Sequence, residues 1–91
     1  MPSIDIRRRH DLTPDAAKAL VEDIAVRVCA KYGLRREWRG NVLHFRRGGV
    51  DGLIDIGSAT IHIRAELGLM LGMLKTAIHN EIERELDAHL A

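Results

Sequence analysis

The sequence predicts an α+β domain: one antiparallel five-stranded sheet with two helices on one face, in the order β-α-β-β-β-β-α, residues 1–91 forming a single domain. Three observations predict it. The dipeptides Gly40-Asn41, Gly48-Gly49 and Gly57-Ser58 come at even spacing and have the composition of tight hairpin turns. The segments between them alternate apolar and polar residues, the period of a half-buried strand. Longer stretches on either side repeat apolar residues at helical spacing.

The elements follow in chain order. In "SIDIRRR", Ile4 and Ile6 alternate with Asp5, Arg7 and Arg9, which predicts a short first strand. In "TPDAAKALVEDIAVRVCAKYG", Thr13 is placed to cap a helix, Pro14 takes its first position and Gly33 stops it. Ala17, Leu20, Val21, Ile24 and Val28 share one stripe of that helix. Two-residue loops at the three glycine-led pairs then set a register. Trp38 pairs with Leu43, Leu43 with Ile54, and Ile54 with Ile61. Opposed residues share a face, so one face collects Leu34, Trp38, Leu43, Phe45, Val50, Ile54, Ile56, Ile61 and Ile63. The other collects Arg35, Glu37, Arg39, His44, Arg46, Asp51, Asp55, Thr60, His62 and Arg64. A last helix is expected from Leu67 to Leu90, with Leu67, Leu71, Leu74, Ile78 and Ile82 facing the core. The first strand is expected beside the fifth.

Composition narrows the function classes. Aromatic residues make up only 3%, which argues against base-stacking platforms. The single Cys29 has no disulfide partner within the chain, and a reducing, cytoplasmic setting fits it. The amino terminus has no apolar run of the signal-peptide kind, and the longest apolar run, Leu67 to Leu74, is far short of the roughly 20 residues of a membrane span. Residues 1–50 hold eleven Lys or Arg against six acids, and residues 51–91 hold three against seven. This asymmetry fits two halves that attract each other on folding better than it fits an anionic partner.

Three quoted pieces carry a resemblance. "IDIRRRHDL", "EWRGNVLHFRRGGVDGLIDI" and "ELGLMLGMLK", together with their order and spacing, resemble the small bacterial family of polyhydroxyalkanoic acid system proteins along nearly the whole chain. That resemblance implies a setting near storage-polyester granules and carries over no catalytic residue. The order of elements is also similar to a shortened helix-grip domain, an analogy of fold alone.

Candidate sites are few. His44 and His62 share the polar face with Leu53 expected between them, too far apart for common metal ligands, and Glu37 faces His44. No histidine has an HExxH or similar context, and Cys29 sits within an apolar helix. The expectation is therefore no catalytic residue, no metal and no cofactor. Arg36 and Arg47 fall on the apolar face and are expected to reach its rim, meeting the end of the first helix or Glu66. Gly68 and Gly72, four residues apart, are expected to let the last helix pack closely. Leu69, Met70 and Met73 are surplus to the core stripe and form the expected association surface.

The reading that follows is a non-enzymatic accessory protein. Its partner is the surface of a polyester granule or a granule-associated protein, with a homodimer through the same residues as a further form. One alternative is a binder of small hydrophobic ligands, or a hydroxyacyl-processing helper, with a cavity between sheet and helices. The other is nucleic-acid binding through the basic half, which the lack of aromatics on the polar face disfavours.

Overall fold

A computed structural model describes residues 3–90. Five strands lie in the order β1-β5-β4-β3-β2, each antiparallel to its neighbours. They are β1 (Ser3–Arg9), β2 (Arg35–Arg39), β3 (Val42–Arg47), β4 (Val50–Ile56) and β5 (Thr60–Leu67). Helix α1 (Pro14–Tyr32) joins β1 to β2, and helix α2 (Lys75–Leu90) ends the described chain. Between β5 and α2 stands a single 3-10 helix, Leu69–Leu74. The expected element order and the pairing of β1 with β5 are both observed.

The ends of α1 are set locally. The Ala16 amide donates to the Thr13 hydroxyl at 3.2 Å, Pro14 begins the helix, and Gly33 leaves it at φ 67°. That left-handed turn favours glycine. Two hairpins have the register expected from two-residue loops, with Trp38 opposite Leu43 and Leu43 opposite Ile54.

The third hairpin differs. Ile56 pairs with Ile61 and Ile54 with Ile63, so the connection is four residues, Gly57 to Thr60, closed by the Gly57 amide donating to the Thr60 carbonyl at 2.8 Å. The shift from the expected register is two residues. Side chains alternate with period two, so every residue kept its expected face. The shift does move the outer neighbours: Leu53 lies opposite Arg64 instead of His62.

The inner face is buried under both helices. Leu43, Phe45, Val50, Ile54, Ile56, Ile61 and Ile63 join Val21, Ile24 and Val28 of α1 and Ile78, Ile82 and Leu86 of α2 in one core. Trp38 is half-buried at the rim. Its indole donates to Glu22 at 3.0 Å, and the Lys18 ammonium lies 4.8 Å from its ring centre. The outer face is uncovered.

The charge asymmetry of the two halves is spent inside the fold. Arg8 donates to Asp87 at 2.7 Å and to Glu83 at 3.0 Å, and Lys31 to Glu81 at 3.1 Å. Arg27 grips both oxygens of Glu85 and also holds Asp23. All but Arg27–Asp23, which lies within α1, tie the basic first half to the acidic α2. Arg8–Glu83 is partly buried and the others reach solvent at one side, so each contributes about 0–1 kcal/mol, and their value lies more in orienting the two helices.

Arg36 and Arg47 reach the rim as expected. Arg47 donates to the carbonyl of Tyr32 at 2.8 Å, in the last turn of α1. Arg36 makes a two-pronged contact with Glu22, at 3.1 and 2.8 Å, instead of meeting a helix end.

Candidate functional site

The residues singled out for association sit in a segment whose form differs from the expected one. The last α-helix begins at Lys75, not Leu67. Leu67 is the final residue of β5, wholly buried opposite Val50. Its pairing with β4 outcompetes the helix that its neighbours' composition suggests. Gly68 then turns the chain, its amide donating to the Gly49 carbonyl at 2.8 Å. The 3-10 helix follows directly.

A 3-10 helix has three residues per turn, so residues i and i+3 stand one above the other. That period sorts the side chains. Leu71 and Leu74 form one column and pack against the core. Met70 and Met73 form a second, and both are exposed, at 90% and 85%. Leu69, at 83%, shares the third column with Gly72, which has no side chain to cover it. The first helix does not reach these residues. Its own Val26 is 45% exposed.

The segment is held from below. Leu71 lies against Gly49, whose φ of 87° belongs to the tight β3–β4 turn. A β-carbon at Gly49 would come 2.7 Å from the Leu71 Cδ1. Gly68 lies against the same turn, where an added β-carbon would be 3.7 Å from the Gly49 Cα. Gly68 thus sits beside the backbone of a turn rather than within a helix, and Gly72 lies in the 3-10 helix. The small-residue spacing is not that of an α-helix face. The result is three large apolar side chains presented on a fixed base at one end of the sheet, with no charge from Leu67 to Leu74.

The rest of the molecule offers less chemistry. On the outer face His62 lies 2.7 Å from Asp5, which holds the Asp5 carboxyl below the usual carboxylate range. Arg7 and Arg64 act in the same direction. His44 is in a different row, facing Glu37 and Leu53. Among the described residues no three His, Cys, Asp or Glu side chains converge as metal ligands. Cys29 is buried, and burial pushes its thiol up, away from the thiolate a nucleophile needs.

The interior between sheet and helices contains an apolar cavity of about 20 Å³, lined by Ile4, Cys29, Phe45, Ile54 and Ile82 among others. That is room for about one water, and its apolar lining offers a water no partner. No hydroxyacyl group fits there in this conformation.

One buried polar residue escaped the sequence reading. His10 is 6% exposed. Its Nδ1 accepts from the Leu12 amide at 3.1 Å, so Nε2 carries the proton and donates to the Gly57 carbonyl at 3.0 Å. The ring fastens the β1–α1 link to the β4–β5 loop. The signal was present: strict alternation from Ile4 and Ile6 places Arg8 and His10 on the inner side, at its rim.

A comparison with protein families now bears on this geometry. The sequence model of the family described as "Putative polyhydroxyalkanoic acid system protein" matches residues 4–90, so the chain belongs to that family. No curated protein and no solved structure matches the chain significantly. Among the described residues no helix is long and apolar enough to cross a membrane.

Proposed function

We propose that this member of the polyhydroxyalkanoic acid system family is a non-enzymatic accessory protein that seats Leu69, Met70 and Met73 on a hydrophobic surface. The surface that the family context suggests is that of a storage-polyester granule. The observation that carries the reading is the near-complete exposure of three large apolar side chains on a segment anchored by two partly buried ones, Leu71 and Leu74. Full burial of each supplies roughly 1.5–3 kcal/mol. Association itself costs several kcal/mol, so a single seat gives weak, reversible attachment. Unbranched methionine suits a surface without fixed shape, because its side chain repacks at little cost.

The small interior cavity favours surface contact over an enclosed ligand.

Co-sedimentation with isolated polyester granules tests the proposal. The wild-type chain is expected to pellet with granules. A variant carrying Leu69→Gln, Met70→Gln and Met73→Gln, with an unchanged circular dichroism spectrum, is expected to remain in solution. Equal binding by the folded variant would overturn the reading.

A further inference from the structure

The uncovered face of the sheet carries charge in an order that one chain does not explain. The observed registers arrange its side chains in rows across the strands, from β1 through β5, β4 and β3 to β2. The first row reads Ser3, Glu66, Asp51, Arg46, Arg35. The second reads Asp5, Arg64, Leu53, His44, Glu37. The third reads Arg7, His62, Asp55, Val42, Arg39.

In the first row two acids stand directly opposite one another, and so do two arginines. Like charges directly opposed across strands are destabilising. Alternating the signs along the row would have been better for a lone sheet. Among the described residues, Glu66, Asp51, Arg46 and Arg35 have no ion-pair partner within 4.0 Å, although Asp51 and Arg46 are neighbours.

We infer that this face is a self-complementary surface on which a second copy of the chain docks, about a two-fold axis parallel to the strands and lying between β3 and β4. Such an axis exchanges β4 with the partner's β3 and β5 with the partner's β2, and leaves each row facing itself. In the first row Asp51 then meets the second copy's Arg46, and Glu66 its Arg35, each pair occurring twice. In the second row Arg64 meets Glu37, which it would share with Arg39 of Glu37's own chain, and the half-buried Leu53 covers the His44 ring. The third row adds nothing: Asp55 meets Val42, and His62 meets Arg39, whose guanidinium already lies 3.4 Å from Glu37. The like-charged neighbours that are unfavourable within one chain thus become two adjacent opposite pairs between chains.

The geometry sets the strength. Sheets stacked face to face lie about 10 Å apart, a gap that an arginine and a carboxylate side chain can bridge. Aligned sheets cross at roughly 30°, which displaces the outer positions by a few ångströms, within the reach of a guanidinium. The four strands that overlap, β1 lying outside the contact, at about 4.8 Å spacing and about seven residues at 3.3 Å give a shared face of roughly 440 Å² per copy. That places the dimer at the small end of specific interfaces, reversible and salt-sensitive.

The same axis preserves position along the strands. Both 3-10 helices therefore emerge at one end of the dimer, at the close of the first row. Two seats on one end let a weak contact act twice on one surface. This consequence rests on the surface-binding proposal; the dimer does not.

Sedimentation velocity across concentration decides the matter without any granule. The wild-type chain is expected to dimerise at low salt, with the dissociation constant rising about tenfold or more by 0.5 M salt. An acidic variant, Arg35→Glu with Arg46→Glu, and a basic variant, Asp51→Arg with Glu66→Arg, are each expected to be monomeric, and their equimolar mixture to form a heterodimer. Wild-type protein that stays monomeric at millimolar concentration overturns the inference. So does a dimer that survives both variants or is indifferent to salt, because the copies then meet elsewhere. If either variant fails to fold, the four substitutions combined in one chain reverse the row without changing its net charge. That chain should dimerise with itself, and a folded monomer there counts against the inference. Loss of granule binding by a wild-type chain that still dimerises would sink only the surface seat.

Discussion

The inner face of the sheet and the segment Leu69–Leu74 are both rich in large apolar side chains, yet they use them oppositely. On the inner face the apolar residues recur with the period of the strand, so each successive one reaches the core. Leu43 and Ile61 lose all exposure there. In Leu69–Leu74 every residue except Gly72 is apolar, and the 3-10 period sends only Leu71 and Leu74 inward. The other three face solvent. Apolar content alone did not determine burial; the match between sequence period and element period did. Apolar surface held in place by half-buried neighbours keeps one shape, as the proposed association requires, whereas the same side chains on a loose loop would give only a tendency to aggregate.

The largest effect should come from the inner face. Ile54 is 6% exposed at the centre of β4, between Leu43 and Ile63. Ile54→Ala should lower unfolding stability by about 2–5 kcal/mol, the cost of lost burial plus a cavity. Chemical denaturation measures it. An unchanged midpoint would mean that the sheet is inside out and that the comparison collapses.

A second test adds atoms to the same face. Gly52 lies opposite Phe45, whose ring covers it. A β-carbon at Gly52 would come 2.6 Å from the Phe45 Cε2 and 2.8 Å from the Arg64 carbonyl. Backbone blocks one side and a buried ring the other, so Gly52→Ala should cost about 1–3 kcal/mol. Pairing it with Phe45→Leu should recover part of that loss, and thermal melts of the single and double variants would show it.

These residues also show what the sequence made legible. The two-residue turns at Gly40-Asn41 and Gly48-Gly49 fixed the pairing of Phe45 with Gly52 and the contents of both faces. The Gly57 turn hid two extra residues, because Gly-Ser-Ala-Thr offers no strong signal for where the strands resume. Only the parity of the register survived, and parity was enough for the faces but not for the rows. The arginine pair of the first row followed from the Gly40-Asn41 turn, but its acid neighbours, Asp51 and Glu66, became visible only once β4 was aligned with β5. The segment "LGLMLGML" misled for a different reason. It has no polar residue to set a period, so helix, strand end and 3-10 helix were equally compatible with it. Tertiary pairing of Leu67 with Val50 and the seat on Gly49 decided among them.

A smaller effect concerns the charged surface around the core. Arg36 first, then the Trp38 indole, hold the Glu22 carboxyl below its ordinary range. Arg27 does the same to Glu85, and Arg27 with His89 to Asp23. Groups whose folded pKa is depressed contribute stability above their unfolded pKa and lose it as pH falls through the folded one. Stability should therefore be level from neutrality down to about pH 5 and decline below about pH 4.5. Because these pairs face solvent, each accounts for only a small part of the decline. Glu22→Gln should make the acid limb slightly shallower. A steeper limb in that variant would show that Glu22 opposes the fold.

The smallest expected change in stability is the most discriminating. Met70 and Met73 are exposed in the free chain, so replacing both with Gln removes no buried contact. The unfolding free energy should move by no more than about 0.5 kcal/mol. Leu71 lies one residue from Met70 in the same short helix, yet it packs on Gly49 and the core. Leu71→Ala should cost about 1 kcal/mol, the value of partial burial. The two substitutions together separate the period of the segment from its composition. If the segment were an α-helix continuous with α2, Leu71 would still face inward. Met70 would then fall 100° from Leu71, beside Leu74 and partly covered, and its loss would register. Equal costs for Met70→Gln and Leu71→Ala would therefore refute the 3-10 column. Their inequality, measured in one denaturant series, would show that the apolar side chains left outside contribute nothing to the fold, as the proposed association surface requires.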